Sequence, residues 1–173
     1  MDVSIRRVLL GDAPVLAALA RQTFYDTFTG TCTEKDMQDF LEEYFNETQL
    51  GKEISNEKDF CYFCEVNGQS VGYIRFMEDY HSFPQIKQWK ALELKRLYVL
   101  NEYKGKGTAQ HLMNVFFDFA NLHQYEVVWL GVWEHNKRAQ NFYLKYGFKP
   151  SGYTHDFPIG STPQTDQWFW KFL

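Results

Sequence analysis

Two strand-like runs, ALELKRLYVL (residues 91–100) and EVVWLGVW (126–133), are separated by one glycine loop and one helix-length apolar stripe. A strand, a helix and a second strand in that order make a βαβ unit, which few sheet topologies accommodate. EVVWLGVW is almost wholly apolar, the pattern of a strand covered on both faces, and is expected at the centre of the sheet. Upstream, residues 59–65 and 70–77 are β-rich and joined by Asn67-Gly68, a dipeptide suited to a tight hairpin. Two antiparallel strands are expected there.

The remaining elements follow from periodicity and punctuation. Val3 to Val8 reads as a first strand, and Gly11 to Pro14 as a turn into a helix striped by Val15, Leu16, Leu19, Ala20, Thr23 and Phe24. A second helix starts near Thr33, where Thr33-x-x-Asp36 resembles a capping box and Met37, Phe40, Leu41, Tyr44 and Phe45 form one stripe. After residue 107 comes a helix with Leu112, Val115, Phe116 and Phe119 on one face. Another begins at Asn136, a good N-cap, carries Ala139, Phe142, Tyr143 and Tyr146, and ends at Gly147. Residues 148–153 and 167–172 supply the last strands. The order is β, α, α, β, β, β, α, β, α, β, β: a mixed α/β sheet in one domain spanning 1–173.

Composition removes several function classes. With 45% hydrophobic and 18% aromatic residues the chain has material for a real core, and a net charge of -4 offers no basic field for nucleic acid or an anionic membrane. No cleavable apolar leader and no run of about 18 apolar residues is present, so a cytoplasmic protein is expected. The three cysteines, Cys32, Cys61 and Cys64, fit reduced thiols. Cys61 and Cys64 lie within a strand pattern and should point to opposite faces, as structural residues rather than a metal site.

Chemistry concentrates in YKGKGTAQHLM (103–113). A strand, a glycine loop and a helix N-terminus together make an anion cradle, because the first helical amides lack partners and the helix dipole adds partial positive charge. A phosphate-loop NTPase would need Lys-Ser/Thr after the second glycine, where Thr108 stands. A dinucleotide fingerprint would need Gly or Ala at Gln110. The run Lys104-Gly105-Lys106-Gly107-Thr108-Ala109 instead resembles the [QR]-x-x-G-x-[GA] loop of the GNAT N-acetyltransferases, with Lys104 where that family carries Arg or Gln. LGVWEHNKRAQNFYLKYGF (130–148) resembles the second signature of the same family. The wording ELKRLYV, WLGVWE and TDQWFWKFL is similar to the PaiA type of polyamine N-acetyltransferase.

The resemblance implies a GNAT-type fold: a mostly antiparallel sheet flanked by helices, with one parallel pair, residues 94–99 and 127–132, splayed apart around acetyl-CoA. It implies cofactor contacts from the backbone of Leu97, Tyr98 and Val99, from Lys104, Gly105, Lys106, Gly107, Thr108 and Ala109, and from Asn136 and Tyr143; no metal is expected. It also implies direct attack by an amine on the thioester, with the Tyr143 hydroxyl as the acid that protonates the thiolate. On periodicity alone Tyr143 is one member of an apolar stripe. Glu93 is the candidate base that takes the amine's proton, with a surface ion pair to Lys95 or Arg96 as its other reading. His111 and His135 read as surface residues.

The acceptor implied is a primary amine, a polyamine such as spermidine or spermine first, handled by a monomer or homodimer. A protein N-terminus, an amino acid or an aminoglycoside is the alternative acceptor, and a CoA-binding regulatory module the alternative role. The acceptor is expected against residues 24–32 and the loop at 80–88, drawn by acidic positions such as Glu42, Glu43, Glu78 and Asp79.

Overall fold

The computed structural model describes residues 2–173. Its elements run β1 (Val3–Arg7), α1 (Ala13–Phe28), α2 (Glu34–Tyr44), α3 (Glu47–Ser55), β2 (Asp59–Val66), β3 (Gln69–Met77), β4 (Ala91–Val99), α4 (Thr108–Leu122), β5 (Val127–Trp133), α5 (Lys137–Lys145), β6 (Lys149–Asp156) and β7 (Thr165–Phe172). The strands form one seven-stranded sheet ordered β1-β2-β3-β4-β5-β7-β6. Only β4 and β5 pair in parallel. The middle strand is β4, not the run 126–133, because β7 and β6 alone extend the sheet beyond β5.

Helices cover both faces. On one face α4 buries Leu112, Met113, Phe116 and Ala120 against Leu92, Leu94, Val128 and Leu130. On the other, α1, α2 and α3 bury Leu16, Phe24, Met37, Leu41 and Leu50 against Phe63 and Tyr73. Each fully buried side chain of this kind contributes about 1.5–3 kcal/mol. A smaller cluster of Phe83, Ile86, Ala91, Val127, Trp129 and Trp168 lies under the 80–88 loop. Cys61 packs in the α1–α3 layer and Cys64 in the α4 layer, opposite faces of β2, and all three cysteines are free thiols. No helix among the described residues is long and apolar enough to cross a membrane.

Local chemistry explains the boundaries. Asn67 (φ 51°) and Gly68 (φ 79°) both take left-handed conformations, as the two central residues of a tight hairpin turn must. Thr33 caps α2 by accepting from the Asp36 N–H. The Asp36 carboxylate does not close the box but accepts from the Ser161 N–H and the Ser161 and Thr162 hydroxyls. One element, α3, is absent from the sequence reading. Its cap is Asn46, whose side chain accepts from the Gln49 N–H at 2.8 Å, and its docking is ionic as much as apolar. Glu53 on α3 meets Arg96 at 2.7 Å and Arg75 at 3.3 Å, while Arg75 also holds Asp59 at 2.6 Å.

The ladder between β4 and β5 positions the site. It runs from Ala91↔Val127 to Leu94↔Leu130 and then stops, although β4 stays paired with β3 to Val99 and β5 with β7 to Trp133. The break coincides with a bulge. Opposite the adjacent β3 residues Arg75 and Phe76 stand Arg96 and Leu94, which leaves Lys95 as an extra residue. A bulge bends its strand and increases the local twist, so β4 turns away from β5 at this point.

Candidate active site

The parting strands leave the β5-facing edge of β4 without a backbone partner from Lys95 onward. A cavity of about 590 Å³ opens there, lined by Leu97, Tyr98 and Val99 of β4, by Lys104, Gly105, Ala109 and Gln110 around the start of α4, and by Asn136, Arg138, Ala139, Phe142 and Tyr143 at α5. Gly105 (φ 81°) and Gly107 (φ 89°) take backbone conformations that L side chains rarely adopt, and no side chain caps α4. Space beyond both glycines is open. The first amides of α4 therefore point outward without an acceptor, the arrangement that binds phosphate oxygens.

Two cations border this cradle. Lys104 donates to the Asn101 side chain at 2.6 Å, and partial burial together with Arg138 lowers its pKa. Two like charges held close gain from a bound anion, so the cradle suits a polyanion in charge as well as shape. Lys106, Gly107 and Thr108 do not line the cavity: Lys106 sits over the Tyr103 ring, Gly107 is the left-handed N-cap, and the buried Thr108 hydroxyl donates to the Tyr103 carbonyl. Unpaired strand edge, amide cradle and paired cations fit the amides and phosphates of a coenzyme A.

Asn136 holds the other wall. Its side chain accepts from the Ala139 N–H at 3.0 Å, capping α5, and Gln140 Nε2 secures the same turn by donating to the carbonyls of Trp133 and Glu134. Replacing Asn136 by Ala is expected to lower stability by about 1 kcal/mol, with Asn136→Asp restoring most of it, as thermal unfolding of the three proteins would show.

A second cavity, about 440 Å³, meets the first at Thr27, Leu97, Tyr98, Asn136, Ala139 and Tyr143. Its walls are rings: Phe24, Phe28, Phe40, Tyr44, Phe45, Trp133 and Phe157. Phe24 packs 4.7 Å from Phe40, and Phe28 lies 5.1 Å from Trp133. The Asp36 contacts to Ser161 and Thr162 tie α2 to the β6–β7 connection beside this cavity. Lys95, Arg96, Gly131, His155, Asp156 and Asp166 are among the rest of the lining.

Tyr143 borders both cavities and is only 8% exposed. Its hydroxyl has no hydrogen-bond partner among the described residues, and burial, with Tyr98 nearby, raises its pKa well above that of a free phenol. It keeps its proton at neutral pH. Glu93 stands one residue before the break, 6% exposed, and lines neither cavity. The Lys95 ammonium lies 2.6 Å from Glu93 Oε2, outside hydrogen-bond alignment, and donates to Asp79 at 2.7 Å. Burial, partly offset by Lys95, pushes the Glu93 carboxyl up to about 7.

Among the other sequence-derived positions, Phe24, Thr27 and Phe28 reach the second cavity, whereas the 80–88 loop and Glu42, Glu43, Glu78 and Asp79 reach neither. His111 and His135 are exposed. Arg138, Asp166 and Gly131 were not singled out. Arg138 had a signal, since a cation in the first turn after Asn136 opposes the helix dipole and needs another reason to be there. Among the described residues no three or more His, Cys, Asp and Glu side chains gather in a way that could hold a metal ion.

Known proteins agree with this geometry. Residues 19–148 match the model of the acetyltransferase (GNAT) family. An uncharacterized N-acetyltransferase of Lactobacillus delbrueckii subsp. lactis is 35% identical over 95% of this chain and 94% of its own length. One from Mycobacterium bovis is 29% identical over 90% and 94%. Among solved structures, the PaiA N-acetyltransferase of Thermoplasma acidophilum in complex with coenzyme A superposes with a TM-score of 0.81 at 22% identity, each chain covered in full. At that identity the superposition speaks for the fold, while the family match and the 35% relative reach further: this chain belongs to the GNAT family of N-acetyltransferases.

Proposed function

We propose that this chain, acting as one domain, transfers an acetyl group from acetyl-CoA to a small cationic primary amine, a polyamine such as spermidine or spermine being the preferred acceptor class. The observation that carries this reading is the meeting of two cavities at the parting of β4 and β5, with Tyr143 at their junction. When bound, acetyl-CoA supplies an acetyl group activated as a thioester, with a thiol as the leaving group. The main chain of Leu97, Tyr98 and Val99 would pair with the pantetheine amides. The α4 amides, Lys104 and Arg138 would hold the phosphates. The Tyr143 Oη holds a proton for the departing sulfur.

The second cavity supports this acceptor class. Lys95 and Arg96 of its lining are neutralised from outside the cavity by Asp79, Glu93 and Glu53, whereas Asp156 and Asp166 have no side-chain hydrogen-bond or ion-pair partner among the described residues. Net charge is therefore negative, and the surrounding rings favour an alkyl chain ending in ammonium groups. Walls of this kind support a slender amine over a protein N-terminus. The test is thiol release from acetyl-CoA across spermidine, spermine, lysine, a short peptide and an aminoglycoside. Amine-stimulated release, greatest with the polyamines, is the expected result. Tight CoA binding with no stimulation by any amine would overturn the transferase reading, and a preference for the peptide would overturn the acceptor class.

A further inference from the structure

One carboxylate of the second cavity stands where β4 and β5 part. Asp166 is on β7, where it pairs with Trp133 of β5 on one side and His155 of β6 on the other. It is half-buried, yet makes no hydrogen bond and no ion pair among the described residues. It lies against bare backbone: a Cβ built on Gly131 would fall 3.0 Å from Asp166 Oδ2. Gly131 is the first β5 residue past the last β4–β5 pair, so this oxygen sits at the point where the strands separate. Glu93 lies on the paired side of that point and is engaged by Lys95.

We propose that Asp166, not Glu93, is the carboxylate that receives the acceptor's ammonium group and takes its proton. The inference rests on the amine-acetyltransferase reading above. An alkylamine arrives at neutral pH as R–NH3+. One proton passes from nitrogen to the Asp166 carboxylate, which leaves a neutral carboxylic acid and a neutral amine whose lone pair is free to attack. Burial pushes the Asp166 carboxyl up to about 6, so it is ionised at neutral pH and still basic enough to accept. The titratable and charged groups that line the cavity with it are Tyr44 of α2, Lys95, Arg96 and Tyr98 of β4, His155 and Asp156 of β6, and Tyr143 of α5. Lys95 and Arg96 are occupied by their own carboxylates, which leaves Asp166 for the substrate.

Asp166→Asn keeps the shape and removes the base. The experiment compares kcat/KM of wild type and variant between pH 5 and 9 on two probes: spermidine, and 2,2,2-trifluoroethylamine, which is mainly unprotonated at neutral pH. With wild type, kcat/KM for spermidine should fall below about pH 6 as the carboxylate takes up a proton. In the variant it should drop about 10²-fold at neutral pH and climb with the fraction of free amine, while the loss on trifluoroethylamine stays within about threefold. Thermal unfolding and CoA binding of the variant check the fold separately. A variant that loses less than about threefold on spermidine, or loses equally on both probes, would overturn the assignment. So would an acidic limb abolished by Glu93→Gln or His155→Gln instead. Absence of amine-stimulated release in wild type is a different result, which rejects the transferase reading before Asp166 is tested.

Discussion

Tyr143→Phe is expected to lower turnover by about 10²- to 10³-fold while changing CoA affinity by less than about threefold. The substitution removes one hydroxyl that bonds to nothing in the protein and leaves the ring between Phe142 and Phe148, at 5.5 and 5.8 Å. Packing is conserved, so unfolding should move little. What disappears is the proton held where the two cavities meet. An interaction made only as the sulfur departs lowers kcat and kcat/KM together and leaves ground-state binding alone. The raised pKa of this phenol supports the direction: the acid stays protonated well past neutrality, so wild-type activity should persist into alkaline solution. Steady-state kinetics alongside CoA titration would decide, and unchanged turnover would remove Tyr143 as the acid.

Gly131→Ala should damage both the fold and the second cavity. The new Cβ would lie 2.5 Å from Trp168 Cζ3, and real Cβ contacts are not that short. Trp168 cannot easily swing away, because it is wedged against Trp129 at 5.2 Å and Phe83 at 5.9 Å. Overpacking of this kind costs about 1–3 kcal/mol, or a melting temperature lower by roughly 2–12 °C for a domain of this size. The displaced indole also presses Asp166 toward the second cavity, so KM for the amine should rise while CoA binding holds. Gly11→Ala, whose Cβ meets nothing within 4 Å, is the control and should melt like wild type. Equal melting of both variants would show that Trp168 has room to yield.

Much of the fold was readable residue by residue, wherever the deciding chemistry is local. Asn67-Gly68 makes its turn because those two residues tolerate positive φ, and Asn136 caps α5 through a bond to an amide three residues away. The glycine loop was readable for the same reason. What escaped depends on partners distant in sequence. Helix α3 contains Gly51 and buries only Leu50, so its stripe is faint, and its anchoring ion pairs reach Arg75 and Arg96 on other strands. The bulge at Lys95 exists only relative to β3, and no alternation in residues 91–100 announces it. Glu93 does pair with Lys95, but buried rather than at the surface where that pair was expected. Asp166 was invisible because a strand aspartate near the end of a chain has nothing in its neighbourhood to mark it.

The two cavities draw on the chain unequally. Apart from Thr27, the first cavity is lined by the single stretch 97–145, whereas the second is assembled from separated patches of α1, α2, β4, β5, α5, β6 and the segment up to Asp166. Phe40, Tyr44 and Phe157 line the second cavity and not the first. An engineer seeking a new acceptor would begin with those three rings.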